Sequence, residues 1–207
     1  MDRSELLFDG PETSALTFML AHGAGAPMRS PFLARVARGV AAEGFRVARF
    51  EFPYMRARLG GGKRGAPDRE PVLRQSWLDA IGLLGGGAGV AIGGKSLGGR
   101  IASMVADEAG ARGLACLGYP FHPPGQPDRL RTKHLASLQT PALIVQGTRD
   151  PFGTREDVAG YALSPRIGIH WLEDGDHSWK PRASSGRTEE QNLSEGIAAV
   201  CRFLESL

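Results

Sequence analysis

Short apolar runs alternate along this chain with longer stretches in which apolar residues recur every third or fourth position. The runs cover 15–21 (ALTFMLA), 45–52, 90–92, 114–118, 142–146 (ALIVQ) and 167–172. The longer stretches cover 31–43 (PFLARVARGVAAE), 71–84, 97–109, 129–138, 155–162 and 189–207. A short continuous apolar run reads as a strand buried on both faces, and a period near 3.6 reads as a helix with one buried face. Pro31 suits a first helical position and Gly44 a stop. Such alternation predicts an α/β fold: a three-layer αβα sandwich on a mostly parallel sheet of about six or seven strands. With no internal repeat or break in composition, 1–207 reads as a single domain.

Three irregular segments follow strands: 53–71 (PYMRARLGGGKRGAPDREP), 119–128 (YPFHPPGQPD) and 175–186. All three are expected as loops at the carboxyl edge of the sheet, where parallel sheets bind ligands. The first is basic through Arg56, Arg58, Lys63 and Arg64. A solvated charge run is the reading there, with recognition of an anionic substrate as the alternative.

Composition narrows the class without changing it. The chain is 42% hydrophobic and 23% charged, as expected of a globular protein, and no apolar run approaches a membrane span. Its opening, MDRSELLFDG, does not resemble a signal peptide. Cys116 and Cys201 read as small buried residues in a reducing compartment, so a cytoplasmic protein is expected. A net charge of +3 is too slight and too dispersed for nucleic-acid binding. No membrane association, cofactor or metal is indicated.

The stretch GVAIGGKSLGGR (89–100) fits two catalytic patterns. Counted from Gly89 it is a phosphate-binding P-loop; counted from Gly94 it is G-x-S-x-G, the nucleophile elbow of serine hydrolases. The P-loop pattern treats Val90, Ala91 and Ile92 as loop, yet these look like the strand. A P-loop also needs an acidic residue at the end of another strand to help hold magnesium: 114–118 leads into Tyr119 and Pro120, and ALIVQ reaches Asp150 only after Gly147, Thr148 and Arg149. The elbow instead puts a strand before Gly93, a sharp turn at Ser96 and a helix from Leu97. Gly94 and Gly98 supply the small neighbours that a strained nucleophile requires. On this reading Lys95 is merely the variable position before the serine.

A serine hydroxyl needs a histidine to take its proton, and the histidine needs a carboxylate to fix its tautomer. The order in such folds is Ser, Asp, His. Asp150 follows the ALIVQ strand and His177 follows the next, so Ser96, Asp150 and His177 are the expected catalytic residues. Asp174 and Asp176 share a tight loop with His177 and are poorly placed to reach its ring. For the oxyanion hole the expected donors are the backbone N–H groups of Leu97 and Ala24, with Gly23 an alternative, in the His22–Gly23–Ala24–Gly25 turn after ALTFMLA. His22 is expected to organise that turn. Tyr54, Phe121, His122 and Trp179 are candidate walls of an acyl or alcohol pocket, or simply loop packing.

Together LAHGAGA, FEFPYM, GGKSLGGR, GYPFHPPG, QGTRDPFG and DGDHSWKPR resemble the α/β-hydrolase superfamily across nearly the whole chain. More narrowly, they resemble small hydrolases grouped with a testis-expressed protein and with a subunit of the non-specific lethal histone acetyltransferase complex. Dienelactone hydrolases are a more distant likeness, because their nucleophile is usually cysteine. The resemblance implies an acyl-enzyme mechanism through Ser96, Asp150 and His177 and leaves the substrate open. Because one relative is a complex subunit, it also keeps a binding or scaffold role, and with it a protein partner, as the alternative. Little precedes ALTFMLA, so the first strands of the larger fold are expected to be reduced or missing. About 22 residues separate Gly118 from Pro141, too few for a helical cap. The expectation is therefore a capless serine hydrolase acting on a small ester or related acyl compound.

Overall fold

A computed structural model describes residues 2–62 and 65–207; the basic pair Lys63 and Arg64 lies outside them. Seven strands form one sheet in the order β1-β3-β2-β4-β5-β6-β7. They are β1 (Leu7–Asp9), β2 (Thr17–Ala21), β3 (Arg46–Phe50), β4 (Val90–Lys95), β5 (Gly113–Leu117), β6 (Ala142–Gly147) and β7 (Ile167–Leu172). All pairings are parallel except β1 with β3, where Leu7 faces Arg49. The three-residue β1 was not marked as a strand by the apolar pattern. It is tied down by a 2.7 Å ion pair from Arg49 to Asp9.

Side chains alternate across each strand, and both faces are covered. Phe18 and Leu20 of β2 pack with Leu33, Val36 and Val40 of α1 (Pro31–Ala42) and with Leu193, Val200 and Leu204 of α6 (Glu189–Glu205). Met19 and Ala21 face the opposite layer, with Trp77 and Ile81 of α3 (Glu70–Gly82) and Ile101 and Val105 of α4 (Leu97–Val105). This two-sided burial is why the strands read as continuous apolar runs rather than alternating ones. Connections pass from one side of β2 to the other between β3 and β4, making the β2–β4 boundary the switch point of the sheet.

Two segments differ from expectation. Within 53–71, Pro53–Leu59 forms a helix, here α2, with Pro53 in the first turn and Tyr54 and Met55 buried. Proline's fixed φ and missing N–H fit that position, a start signal masked by the glycines that follow. Instead of a helix over 129–138 there is only a 3₁₀ turn, Leu135–Ser137. The Arg131 N–H is used across the loop by the Phe121 carbonyl at 2.7 Å, which draws the backbone out of a helical path. A further short helix, α5 (Arg155–Val158), is capped by Thr154. No cap domain interrupts the described residues between β5 and β6. Among those residues no helix is long and apolar enough to cross a membrane. Both cysteines are buried and free.

Trp77 ties the second layer to the elbow. It is fully buried, and its indole N–H donates to the Gly98 carbonyl at 3.3 Å. Trp77→Ala is expected to lower the stability measured by urea unfolding by about 3–5 kcal/mol. A loss below about 1 kcal/mol would contradict this packing role.

Candidate active site

Ser96 stands between β4 and α4 with φ 51° and ψ −113°, a backbone conformation strained for any residue with a side chain. The flanking glycines are needed for a reason the sequence did not reveal. A Cβ on Gly94 would lie 2.3 Å from the Ala21 carbonyl oxygen, and one on Gly98 would lie 2.5 Å from the same atom. The end of β2 therefore sets the composition of the elbow.

That turn brings Ser96 Oγ within 2.9 Å of His177 Nε2, and His177 Nδ1 lies 2.7 Å from Asp150 Oδ2. A carboxylate only accepts, so Nδ1 carries the proton and Nε2 offers its lone pair to the serine hydroxyl. Asp150 is fully buried, whereas His177 keeps 21% of its side-chain surface exposed. Burial holds the imidazole below its ordinary value; the hydrogen bond to Asp150 opposes this, and the Lys95 charge adds to it.

Two residues near these groups escaped the sequence reading. Gln146, fully buried at the end of β6, donates to Asp150 Oδ2 at 2.9 Å while its carbonyl accepts the Tyr119 N–H at 2.7 Å. The Phe152 N–H donates to Asp150 Oδ1 at 2.9 Å. Its ring lies 4.2 Å from that of His177, tilted by 34°. A glutamine in an otherwise apolar buried strand was the available signal for the first. The neighbouring acids do not compete for His177. Asp174 is engaged by Arg182 and Arg149, and Asp176 accepts the Ser178 and Lys180 N–H groups.

The turn after β2 is held through its carbonyls. His22 Nε2 accepts the Phe52 N–H at 3.0 Å, so the proton sits on Nδ1, which donates to the Gly23 carbonyl at 2.8 Å. Burial lowers the pKa of this imidazole to about 4, consistent with a neutral structural ring. The Tyr54 hydroxyl lies 3.3 Å from the Gly23 and Ala24 carbonyls, and Arg58 donates to Ala24 at 3.2 Å. In a trans peptide the N–H points opposite to the C=O. Tethering the Gly23 carbonyl thus turns the Ala24 N–H the other way. Neither that N–H nor that of Leu97 donates to another described residue.

A cavity of about 480 Å³ opens beside Ser96. Phe32, Pro31, Ala24, Phe152, Lys95 and His177 are among its walls. Of the two readings open for Tyr54, Phe121, His122 and Trp179, pocket wall or packing, the structure favours packing, and none of the four lines this cavity. Tyr54 braces the turn just described. Phe121 is fully buried against Tyr119 and Gly153. His122 is buried beside Asp157, with its Nδ1 2.9 Å from the Pro123 carbonyl. Trp179 sits in the core against Phe32, ring centroids 4.9 Å apart. Aromatic residues close in sequence to the site turned inward, while Phe32 and Phe152 took the wall. Arg56 pairs with Glu5, so neither it nor Arg58 behaves as a freely solvated charge. A larger cleft of about 570 Å³ lies between α1 and α6 and includes none of these site residues.

A family model described as an alpha/beta hydrolase domain matches residues 14–205. The chain belongs to the α/β-hydrolase family. Among solved structures, this hydrolase-family chain is similar to an α/β serine hydrolase without lid from Xanthomonas campestris (TM-score 0.69, 16% identity, 97% of this chain and 88% of that one). It is also similar to a dienelactone hydrolase from Anabaena variabilis (TM-score 0.75, 17% identity, 97% and 90%). The esterase domain of a Rhodothermus marinus protein is a further likeness (TM-score 0.65, 16% identity, 95% and 90%). At these identities the likeness is one of fold.

Gln146→Leu removes a buried donor and leaves the Tyr119 N–H and an Asp150 oxygen underserved. Urea unfolding is expected to show a loss of about 1–3 kcal/mol. Unchanged stability would mean that this network carries little.

Proposed function

We propose that the protein is a serine hydrolase that cleaves a small ester or related acyl compound through an acyl-enzyme. The observation that carries this reading is the unbroken chain Ser96–His177–Asp150, with separations of 2.9 and 2.7 Å and a tautomer fixed by the buried carboxylate. Ser96 Oγ attacks the carbonyl carbon as its proton passes to His177 Nε2. Asp150 stabilises the imidazolium that forms. The Leu97 and Ala24 N–H groups receive the oxyanion, an arrangement typically worth about 10²–10³ in rate per donor. His177 then returns the proton to the leaving alcohol. Water, deprotonated by the same nitrogen, releases the acid and restores Ser96.

The neighbouring esterase and dienelactone hydrolase folds support ester chemistry in general terms. The cavity limits the substrate. With Phe32 and Phe152 on its walls and no cap among the described residues, it suits a compact apolar group better than a long lipid chain. An intracellular, cytoplasmic setting fits the two free cysteines.

Wild type is expected to react with a fluorophosphonate probe and to turn over a short p-nitrophenyl ester, while Ser96→Ala does neither. Asp150→Asn should lower kcat by roughly 10⁴-fold. Because burial depresses the His177 pKa, its basic form persists into more acidic solution. The acid limb of kcat/KM is therefore expected below the ordinary imidazole value of about 6.5. Absence of both labelling and turnover would favour a binding role instead.

A further inference from the structure

We propose that Lys95 is a positioning residue for His177: its ammonium clamps the main chain of the histidine loop, and its charge keeps the imidazole in the neutral, proton-accepting form. This use of Lys95 rests on the hydrolase reading only for its consequence in turnover. The elbow pattern treats the position before the serine as variable, and neither the proton relay nor the oxyanion site uses it.

The geometry is specific. Lys95 Nζ donates to the His177 carbonyl oxygen at 2.5 Å, linking the end of β4 to a loop 82 residues further along the chain. Its stem forms part of the cavity wall and passes beside Gly23, while Nζ lies 5.8 Å from the centroid of the Phe32 ring. Gly118, at the end of β5, makes room for the contact. A Cβ there would lie 2.8 Å from Lys95 Nζ and 2.9 Å from the His177 carbonyl oxygen, and its φ of +69° disfavours a side chain in any case. Three strand ends thus meet at one ammonium.

Charge matters as well as position. The groups facing His177 are Asp150 from the β6 loop, Asp176 from its own loop, and Lys95 and Ser96 from the elbow. The two carboxylates favour the imidazolium and the ammonium opposes it. Burial lowers the Lys95 pKa to about 8 against the pull of Asp150 and Asp176. Lys95 therefore stays charged over the range in which His177 titrates. A positive charge beside a base lowers its pKa, so removing that charge raises it.

The test is an NMR titration of the His177 ring in wild type, Lys95→Met and Lys95→Gln, with kcat/KM for a p-nitrophenyl ester alongside. Both variants should raise the His177 pKa by roughly half a unit or more. The loss of kcat/KM should grow as pH falls through the His177 titration found by NMR and fade above it, whereas a purely structural loss would not depend on pH. In wild type itself, the His177 ring should show a second inflection near pH 8, where Lys95 releases its proton. An unchanged His177 pKa in a folded variant overturns the proposal. If neither variant folds, the absence of that second inflection does so. The titration needs no turnover. A normal Lys95 effect in a protein that never labels at Ser96 would sink the hydrolase reading and leave this one standing.

Discussion

The carbonyl of Ala21 is the point on which the rest of the site depends. It occupies the space that side chains on both Gly94 and Gly98 would need. With β2 and β4 adjacent and in register, Ala21 opposite Gly94, the strained serine turn forms directly against the turn that carries Ala24. The switch point of the sheet thus sets the Ser96 turn beside the turn that carries Ala24 through backbone packing. Strain at Ser96, of order 1–3 kcal/mol for such a conformation, persists because β4, α4 and β2 leave it no alternative.

The histidine arrives from the opposite half of the sheet and is held from several sides. Asp150, itself held by Gln146, fixes its ring, and Lys95 holds its main chain. Behind it, Asn192 of α6 donates to the Trp179 carbonyl at 2.8 Å and the Glu173 carbonyl at 3.1 Å. Trp179 itself has φ +69° and packs so closely on α6 that a Cβ at Gly196 would come within 2.6 Å of its ring. A loop with this many fixed points keeps the imidazole oriented, with no cap domain among the described residues. The open cavity is then shaped by α1 and by Phe152 rather than by an inserted lid.

The sheet, the helices on both faces and the strand-end positions of Ser96, Asp150 and His177 were legible because each leaves a local mark. Two-sided burial gives apolar runs, and the chemistry follows those runs in order. Residues that act through distant partners left no such mark. Lys95 looked incidental in its pentapeptide, and its role depends on a carbonyl 82 positions away. Gln146 was read only as the last residue of the ALIVQ strand. Tyr54, Phe121, His122 and Trp179 stayed open between pocket wall and packing for the converse reason. Proximity in sequence says that a ring is near a strand end, while its direction is decided by the core it can fill. Helix α2 was hidden in the same way, its proline start overshadowed by glycines further on.

The most direct measurement is a crystal structure of the protein after reaction with a small alkyl phosphonate. The adduct is expected on Ser96 Oγ, with one phosphoryl oxygen about 2.7–3.1 Å from the N–H groups of both Ala24 and Leu97. The alkyl arm is expected in the cavity between Phe32 and Phe152. An adduct on another residue, or a phosphoryl oxygen turned away from those two N–H groups, would contradict the account.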